Sequence, residues 1–252
     1  ELVKNVDFMK KQCEAEQGQL EGKSDFLPIQ FDFLSTATNI HYFNQCVLLK
    51  LDKKLDLSIL QQAIHLLIKQ HDALRLRLLR DGDALIQYYC TDSKAYSCEI
   101  ESIDCQEKNG AIIISEYCQR MQSTLSLFDG PVMRVGHFSN INDSSERLFI
   151  VIHHMMVDGV SWHILLKDLF DFYKALLVGD GITLHSKTSS YRQWVSALKA
   201  YAINPTTQAQ LDYWRHTVER IPRIFKDTTT RGREKSFEIV LNDSQTHLLL
   251  HK

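Results

Sequence analysis

Short stretches in which hydrophobic and polar residues alternate are separated, along this chain, by longer stretches in which hydrophobic residues recur every three or four positions. The alternating stretches predict strands over 42–51, 74–79, 84–90, 132–139 and 146–152. The longer stretches predict helices from residue 57 to near residue 71, over 111–127 and over 162–178. Helices and strands that alternate in this way indicate a layered α/β sandwich.

The two ends of the chain differ from this α/β region. Residues 1–23 are predicted to be a linker or helical lead-in, with a polar helix over 2–17. Residues 24–180 form the predicted first lobe, which ends at Gly179-Asp180-Gly181 because glycine commonly terminates a helix. Residues 181–252 are predicted to begin a second, incomplete lobe. It contains predicted helices over 189–203 and 206–221 and a predicted loop over 226–235.

A pair of histidines follows a stretch that is hydrophobic without alternation. Residues 148–152 predict a strand buried on both faces, and His153 and His154 come directly after it. From Val160 onward the hydrophobic spacing is helical, so the histidines occupy a strand–turn–helix context. A short turn holds an imidazole in a fixed position, and an imidazole exchanges protons near neutral pH because its ordinary pKa is about 6.5.

The two histidines are predicted to have different roles, because adjacent strand residues point to opposite faces. One imidazole then faces the packed interior and the other an opening, and we assign His154 as the general base. The same alternation argues against a shared metal ion, and the other ligand spacings of a zinc site are missing, so no metal is expected. The structural alternative is a buried histidine that only satisfies a backbone carbonyl.

Asp158 and Gly159 follow in the same turn and complete the pattern His-His-x-x-x-Asp-Gly at 153–159. A carboxylate there either orients the turn or pairs with a buried arginine, because an unpaired buried charge is costly. Gly159 leaves room for the backbone of a ligand or for a slender arm. Composition alone produces this pattern in few chains, which favours a functional interpretation.

The pattern resembles the signature of the condensation superfamily of nonribosomal peptide synthetases. Three other segments are similar to blocks of that family: Phe-Leu-Pro-Ile-Gln at 26–30, the arginine block at 70–77, and Gly-Pro-Val-Met-Arg-Val at 130–135. The resemblance extends from about residue 22 to residue 214. It implies a layered α/β sandwich of the chloramphenicol acetyltransferase-like type, with one complete lobe and part of a second.

Within the superfamily, this sequence resembles epimerization domains more than amide-forming ones. Asp-Gly-Val-Ser-Trp at 158–162 is the most telling segment, and the segments at 27–30, 71–75 and 185–194 agree with it. The last of these also fits an ordinary capped helix. The resemblance implies removal and return of the Cα proton of an L-aminoacyl or peptidyl thioester. The residues it implies are His154, His153 and Asp158 for catalysis, and Gly159, Ser161 and Trp162 for a substrate tunnel.

The resemblance also implies partners. A peptidyl carrier protein would present the thioester on its phosphopantetheine arm, neighbouring synthetase domains would surround the chain, and no cofactor would bind the chain directly. Members of the family have two lobes and use a glutamate of the second lobe opposite the second histidine. This sequence contains no segment like Glu-Gly-His-Gly-Arg, and we therefore expect a fragment of a longer polypeptide.

Arg75 is the predicted partner of Asp158, because the resemblance places the arginine block near the histidine turn. A buried pair of this kind would fix the shape of the turn. The alternative is a solvated arginine at the edge of a strand.

Composition narrows the class of protein without changing this interpretation. Hydrophobic residues make up 44% of the chain and charged residues 24%, which is typical of globular domains. The net charge is −2 with dispersed Lys and Arg, so no nucleic-acid partner is expected. Hydrophobic runs are far shorter than the roughly twenty residues that span a bilayer. Six cysteines without a Cys-x-x-Cys pair indicate reduced thiols, and we expect a cytoplasmic protein.

Two other functions stay open at this point. The first is an amide-forming condensation domain or a related acyltransferase, in which His154 would position or deprotonate an amine that attacks the thioester. Such an enzyme requires an acceptor, whereas an epimerase does not. The second is an inactive fragment that only docks a carrier protein, which the missing second lobe favours.

Overall fold

The computed structural model describes residues 14–105, 110–141, 145–221 and 238–251. The chain divides into two compact units, Glu1–Ile203 and Asn204–Lys252. Both sheets and the histidine motif belong to the first unit. Helix Tyr191–Ala202, which the sequence assigns to the second lobe, also belongs to that unit. The lobe boundary near residue 180 stays a prediction.

Seven strands of the described residues form two sheets. The three-stranded sheet has the order β1-β4-β3 and is antiparallel throughout. The four-stranded sheet has the order β2-β7-β6-β5, in which only β5 and β6 run parallel. The strands are β1 Gly22–Ser24, β2 Asn44–Leu51, β3 Leu76–Asp81, β4 Ala84–Tyr89, β5 Ile100–Asp104, β6 Met133–Ser139 and β7 Glu146–His153.

Helices connect and cover these strands. In the first unit they are α1 Pro28–Thr36, α2 Leu57–Gln70, α3 Ser93–Tyr96, α4 Gly110–Ser123, α5 Gly159–Val178 and α6 Tyr191–Ala202, with a 3₁₀ turn at Asp72–Arg75. The second unit contains α7 Pro205–Gln208, α8 Leu211–Arg220 and α9 Asp243–Leu250. Within the described residues, none of the helices combines the length and hydrophobicity needed to cross a bilayer.

Strand β7 lies between β2 and β6 and is buried on both faces, as its sequence predicts. One face, with Leu148, Ile150 and Ile152, belongs to the larger core, which α2 and α5 also form. The other face, with Phe149 and Val151, belongs to a smaller core that includes residues of α4. A strand with hydrophobic neighbours on both faces carries a continuous hydrophobic sequence, and its end is held firmly by two adjacent strands.

The five predicted strands and the three main helices are present, and most of their ends lie within two residues of the predicted ends. Gly179 terminates α5 in the left-handed conformation, at φ 77°, where its backbone N–H is bonded to carbonyls of the last turn. The helix over 111–127 ends early, at Ser123, and the helix over 162–178 begins early, at Gly159. The long hydrophobic face of each helix explains why these elements are predictable.

Other predictions were wrong or lie outside the described residues. The helix over 206–221 is two helices, α7 and α8. Residues 14–17 are not helical, and the rest of the helix predicted over 2–17 falls outside the described residues, as does the whole of the loop predicted over 226–235. The sequence did not predict α1, whose only buried residue is Gln30, so no hydrophobic stripe marks it.

Candidate active site

The histidine motif forms the connection from β7 to α5. β7 ends at His153, whose backbone N–H donates to the carbonyl of Val132 at 2.9 Å. The backbone N–H of His154 donates to the carbonyl of Phe43 at 2.7 Å, next to β2. Backbone hydrogen bonds to the segments on both sides of β7 therefore hold the turn, and they fix the backbone positions from which the two imidazoles project.

The side chain of His153 is fully buried and is held by backbone groups. Its Nε2 lies 2.8 Å from the carbonyl oxygen of Ile40, so Nε2 carries the proton and donates it to that bond. Its Nδ1 accepts the backbone N–H of Met155 at 3.2 Å. Burial lowers the pKa of His153 to about 4, and this imidazole is neutral at physiological pH. His153 fastens the turn.

The side chain of His154 is half-buried and holds the opposite tautomer. Its Nδ1 lies 2.8 Å from the carbonyl oxygen of Val157, which can only accept, so Nδ1 carries the proton. The ring stacks on Phe43 with centroids 4.7 Å apart. Its Nε2 lies 3.0 Å from the side-chain amide nitrogen of Gln45, and the Gln45 oxygen accepts the indole N–H of Trp162 at 2.9 Å. An unprotonated Nε2 is what a general base requires.

A cavity of about 680 Å³ opens beside His154 in the first unit. Hydrophobic side chains of α1 and the histidine turn form much of its wall, and Ser161 and Asp158 add polar groups. The volume is in the usual range of small-molecule sites, roughly 300–1,000 Å³. The lining residues are Leu27, Ile29, Gln30, Asp32, Phe33, Thr36, Phe43, Ala73, His154, Met155, Met156, Val157, Asp158, Ser161, Tyr191 and Trp194.

Of the residues predicted to line a substrate tunnel, Ser161 lies on the cavity wall, whereas Gly159 and Trp162 are not among the described lining residues. A Cβ added to Gly159 would meet no atom within 4 Å, so this glycine faces open space. Trp162 is buried and is connected to His154 through Gln45, to whose side-chain oxygen its indole N–H donates. The role of all three in holding substrate stays a prediction.

Asp158 caps the first turn of α5. Its Oδ1 accepts the backbone N–H of Ser161 at 2.7 Å and the Ser161 hydroxyl at 2.6 Å. These bonds lower the pKa of the Asp158 carboxyl, which is exposed at the cavity rim. The sequence predicted that this carboxylate either orients the turn or pairs with a buried arginine. In the structure Asp158 orients the turn, because it is the N-cap at which α5 begins.

The predicted pair between Arg75 and Asp158 is wrong. Arg75 is fully buried, but its guanidinium is paired with Asp72, three residues earlier. It also donates to the carbonyls of Cys90 at 2.8 Å and Leu20 at 3.1 Å. Arg75 therefore joins the 3₁₀ turn to the end of β4 and to the segment before β1. The nearby carboxylate of Asp72 pairs with the Arg75 guanidinium, and Asp158 instead accepts hydrogen bonds from Ser161.

Gln30 and Tyr191 are parts of the site that the sequence did not single out. The Gln30 side-chain nitrogen donates to the carbonyl of Met155 at 3.3 Å, and its oxygen accepts the hydroxyl of Tyr191. Burial raises the pKa of Tyr191 to about 12, so it stays a donor. Gln30 thus fastens α1 and α6 to the histidine turn. The segment at 26–30 resembled a family block, which was the available signal.

No group of three or more His, Cys, Asp or Glu side chains with metal-binding geometry occurs in the described parts of the chain.

Comparison with known proteins identifies the family. A family model described as "Condensation domain" matches residues 22–252. The chain belongs to the condensation domain family. One relative of this condensation domain is a linear gramicidin synthase protein of Brevibacillus parabrevis, 34% identical over 260 residues that cover 100% of this chain and 5% of that protein. Another is a mycosubtilin synthase protein of Bacillus subtilis, 32% identical over 84% of this chain and 8% of that protein. The chain spans only a small part of these relatives.

Solved structures share the fold of this condensation domain. The epimerization domain from the third module of tyrocidine synthetase B has a TM-score of 0.81 and 29% identity, covering 95% of this chain and 55% of that one. The first condensation domain of the calcium-dependent antibiotic synthetase has a TM-score of 0.66 and 18% identity, covering 79% and 48%. The predicted layered α/β fold of the chloramphenicol acetyltransferase-like type and the predicted superfamily are both confirmed.

Proposed function

We propose that this condensation domain epimerizes the Cα of an L-aminoacyl or peptidyl thioester during nonribosomal peptide synthesis. The observation that carries the proposal is His154, which lies on the wall of a cavity and directs Nδ1 at the carbonyl oxygen of Val157, so that Nε2 is the nitrogen available to accept a proton. The likeness to the epimerization domain of tyrocidine synthetase B supports the choice of reaction.

The proposed reaction moves one proton and creates no net bond change. Nε2 of His154 takes the proton from Cα, and the electron pair of the broken C–H bond moves into the thioester carbonyl to give an enolate. Return of that proton from Nε2 to the same face restores the L residue. A proton from a second acid on the opposite face, which the family resemblance places in the second lobe, gives the D residue, and the proton on Nε2 then passes to solvent. In both cases the electron pair returns from the enolate to Cα. A Cα proton beside a thioester is only weakly acidic, so hydrogen-bond donors at the enolate oxygen have to support the base.

The proposed substrate reaches the cavity on a phosphopantetheine arm that a peptidyl carrier protein delivers. The arm is long and slender, and its aminoacyl end fits within about 680 Å³ beside His154. Hydrophobic walls formed by Ile29, Phe33 and Trp194 suit the side chain of an amino acid. Neighbouring synthetase domains are proposed partners, since the relatives are synthase proteins much longer than this chain.

The test follows deuterium at Cα. The protein in its full natural length is incubated in heavy water with an L-aminoacyl carrier protein and no acceptor, and the substrate is analysed by mass spectrometry. We expect exchange that falls about 10²–10⁴-fold in His154→Ala, the usual contribution of a general base. His163→Ala is the matched control, because His163 is an exposed histidine on α5.

Amide formation is the second candidate, since the matching family model is described as a condensation domain. In that reaction His154 would act on the amine of a second loaded carrier. No exchange without an acceptor, together with His154-dependent amide product once the second carrier is added, would replace epimerization by condensation. If neither Cα exchange nor amide product were detected, carrier docking would be the only remaining function of the three.

A further inference from the structure

Residues from three parts of the fold meet near Nε2 of the candidate base, His154. Gln45 comes from β2, His154 follows β7, and Trp162 lies in the first turns of α5. The Gln45 amide is bonded at both ends: its nitrogen lies 3.0 Å from Nε2 of His154, and its oxygen lies 2.9 Å from the indole nitrogen of Trp162. Gln45 is half-buried and Trp162 is buried, so solvent competes weakly for these bonds.

The groups at the two ends of this series of hydrogen bonds, Trp162 and Val157, determine the direction of each bond in it. An indole N–H can only donate, so the Gln45 group facing Trp162 is the oxygen, and the amide NH₂ faces His154. Nε2 of His154 must then accept. At the other end, the Val157 carbonyl can only accept, which places the single imidazole proton on Nδ1. Both ends give the same tautomer.

We propose that Gln45 is a positioning residue that caps the Nε2 lone pair of His154 in the resting enzyme and that Trp162 keeps its amide from turning over. The inference deepens the proposed function and rests on it, because the capped lone pair is the one that would take the Cα proton. Gln45 itself neither gives nor takes a proton. The incoming Cα–H displaces its amide from Nε2.

The cap has two consequences for a reversible proton transfer. Before the substrate arrives, the NH₂ group opposes protonation of Nε2 from solvent, because an imidazolium would point an N–H at another donor. After the transfer, the imidazolium has no acceptor in Gln45 as long as Trp162 holds the oxygen. The proton is therefore held weakly and returned to carbon readily, which an epimerase needs.

The variants that test this proposal change only the residue at position 45, so the other charged and titratable groups around His154 stay the same. His153 precedes it on β7, Asp158 lies at the start of α5, and Asp32 of α1 lines the same cavity. His153 is held neutral by burial, and Asp158 is bonded to Ser161. A change that follows the residue at position 45 is therefore assigned to Gln45.

The test replaces the donor by an acceptor of the same shape. In Gln45→Glu, one carboxylate oxygen still accepts from Trp162, and the other attracts a proton onto Nε2. Gln45→Met removes the cap without adding an acceptor. The acidic limb of the pH–rate profile for Cα deuterium exchange should move to higher pH in the order wild type, Gln45→Met, Gln45→Glu, with about 1–2 pH units for the carboxylate. Gln62→Glu, on the exposed face of α2, is the charge-matched control.

A second readout needs no substrate, so it separates this inference from the proposed function. In ¹⁵N-histidine-labelled protein at neutral pH, the His154 signal, assigned by its loss in His154→Ala, should show a protonated Nδ1 and an unprotonated Nε2. In Gln45→Glu, Nε2 should become protonated. An unchanged nitrogen spectrum in a folded Gln45→Glu protein would overturn the role of Gln45. Absent exchange with the expected spectrum would instead overturn only the proposed reaction.

Discussion

The two sides of the histidine turn use the same side chain in opposite ways. On the packed side, His153 donates from Nε2 to Ile40 and accepts at Nδ1 from Met155. On the cavity side, His154 donates from Nδ1 to Val157 and leaves Nε2 as an acceptor. Adjacent positions therefore hold opposite tautomers, and the difference comes from which backbone carbonyl each ring meets. The neighbouring backbone groups therefore determine which nitrogen of each ring carries the proton.

Removing the buried ring of His153 should destabilise the protein more than removing the half-buried ring of His154. His153→Ala should lower the free energy of unfolding by about 2–4 kcal/mol, because it leaves a cavity and two unpaired backbone groups. His154→Ala should cost clearly less, since that ring is half-buried. Urea unfolding of the two variants measures both values. Equal losses would mean that the turn is not divided into a packed side and a cavity side.

Acid should act on the packed side. The pKa of His153 is about 4 in the folded protein and about 6.5 when unfolded, so the unfolded state binds more protons between these values. Stability should therefore fall as the pH drops from about 6.5 to about 4, by up to about 3 kcal/mol from this residue. His41 and His154 contribute by lowering this pKa further, behind burial.

The measurement is a difference in slopes. Burial also lowers the pKa of His71, so wild-type stability alone reports more than one group. The stability of His153→Gln, which cannot titrate at this position, should depend less steeply on pH than that of the wild type over the same range. Parallel pH profiles of the two proteins would assign the loss to His71 or to other groups.

A smaller effect on stability is expected at Asp158, the N-cap of α5, and it should be independent of the contacts of Arg75. Asp158→Ala should cost about 1 kcal/mol of stability, the usual value for an N-cap, whereas Asp158→Ser, which can also cap, should cost little. Arg75→Ala removes contacts that share no partner with Asp158, so the costs of the two changes should add in the double variant. Strong coupling between them would restore the discarded pair.

How much of this was predictable depends on the sequence distance of each contact. The buried strand, the placement of the two histidines on opposite faces and the helix after the turn are predicted from neighbouring residues, and all are present. Gln45 was not predictable as a site residue, because it reaches His154 across 109 positions and looks like any polar residue of an alternating strand. Arg75 was assigned to a distant carboxylate although Asp72, one helical turn away, was available.

Both histidines take their orientation from main-chain oxygens, those of Ile40 and Val157. Every amino acid carries such an oxygen, so the atoms that decide which nitrogen is basic leave no trace in the choice of residue at 40 or 157. Side-chain scanning at these two positions would report only size and packing. An amide-to-ester replacement, which weakens one carbonyl as an acceptor, would instead change the balance of tautomers while leaving the side chains unaltered.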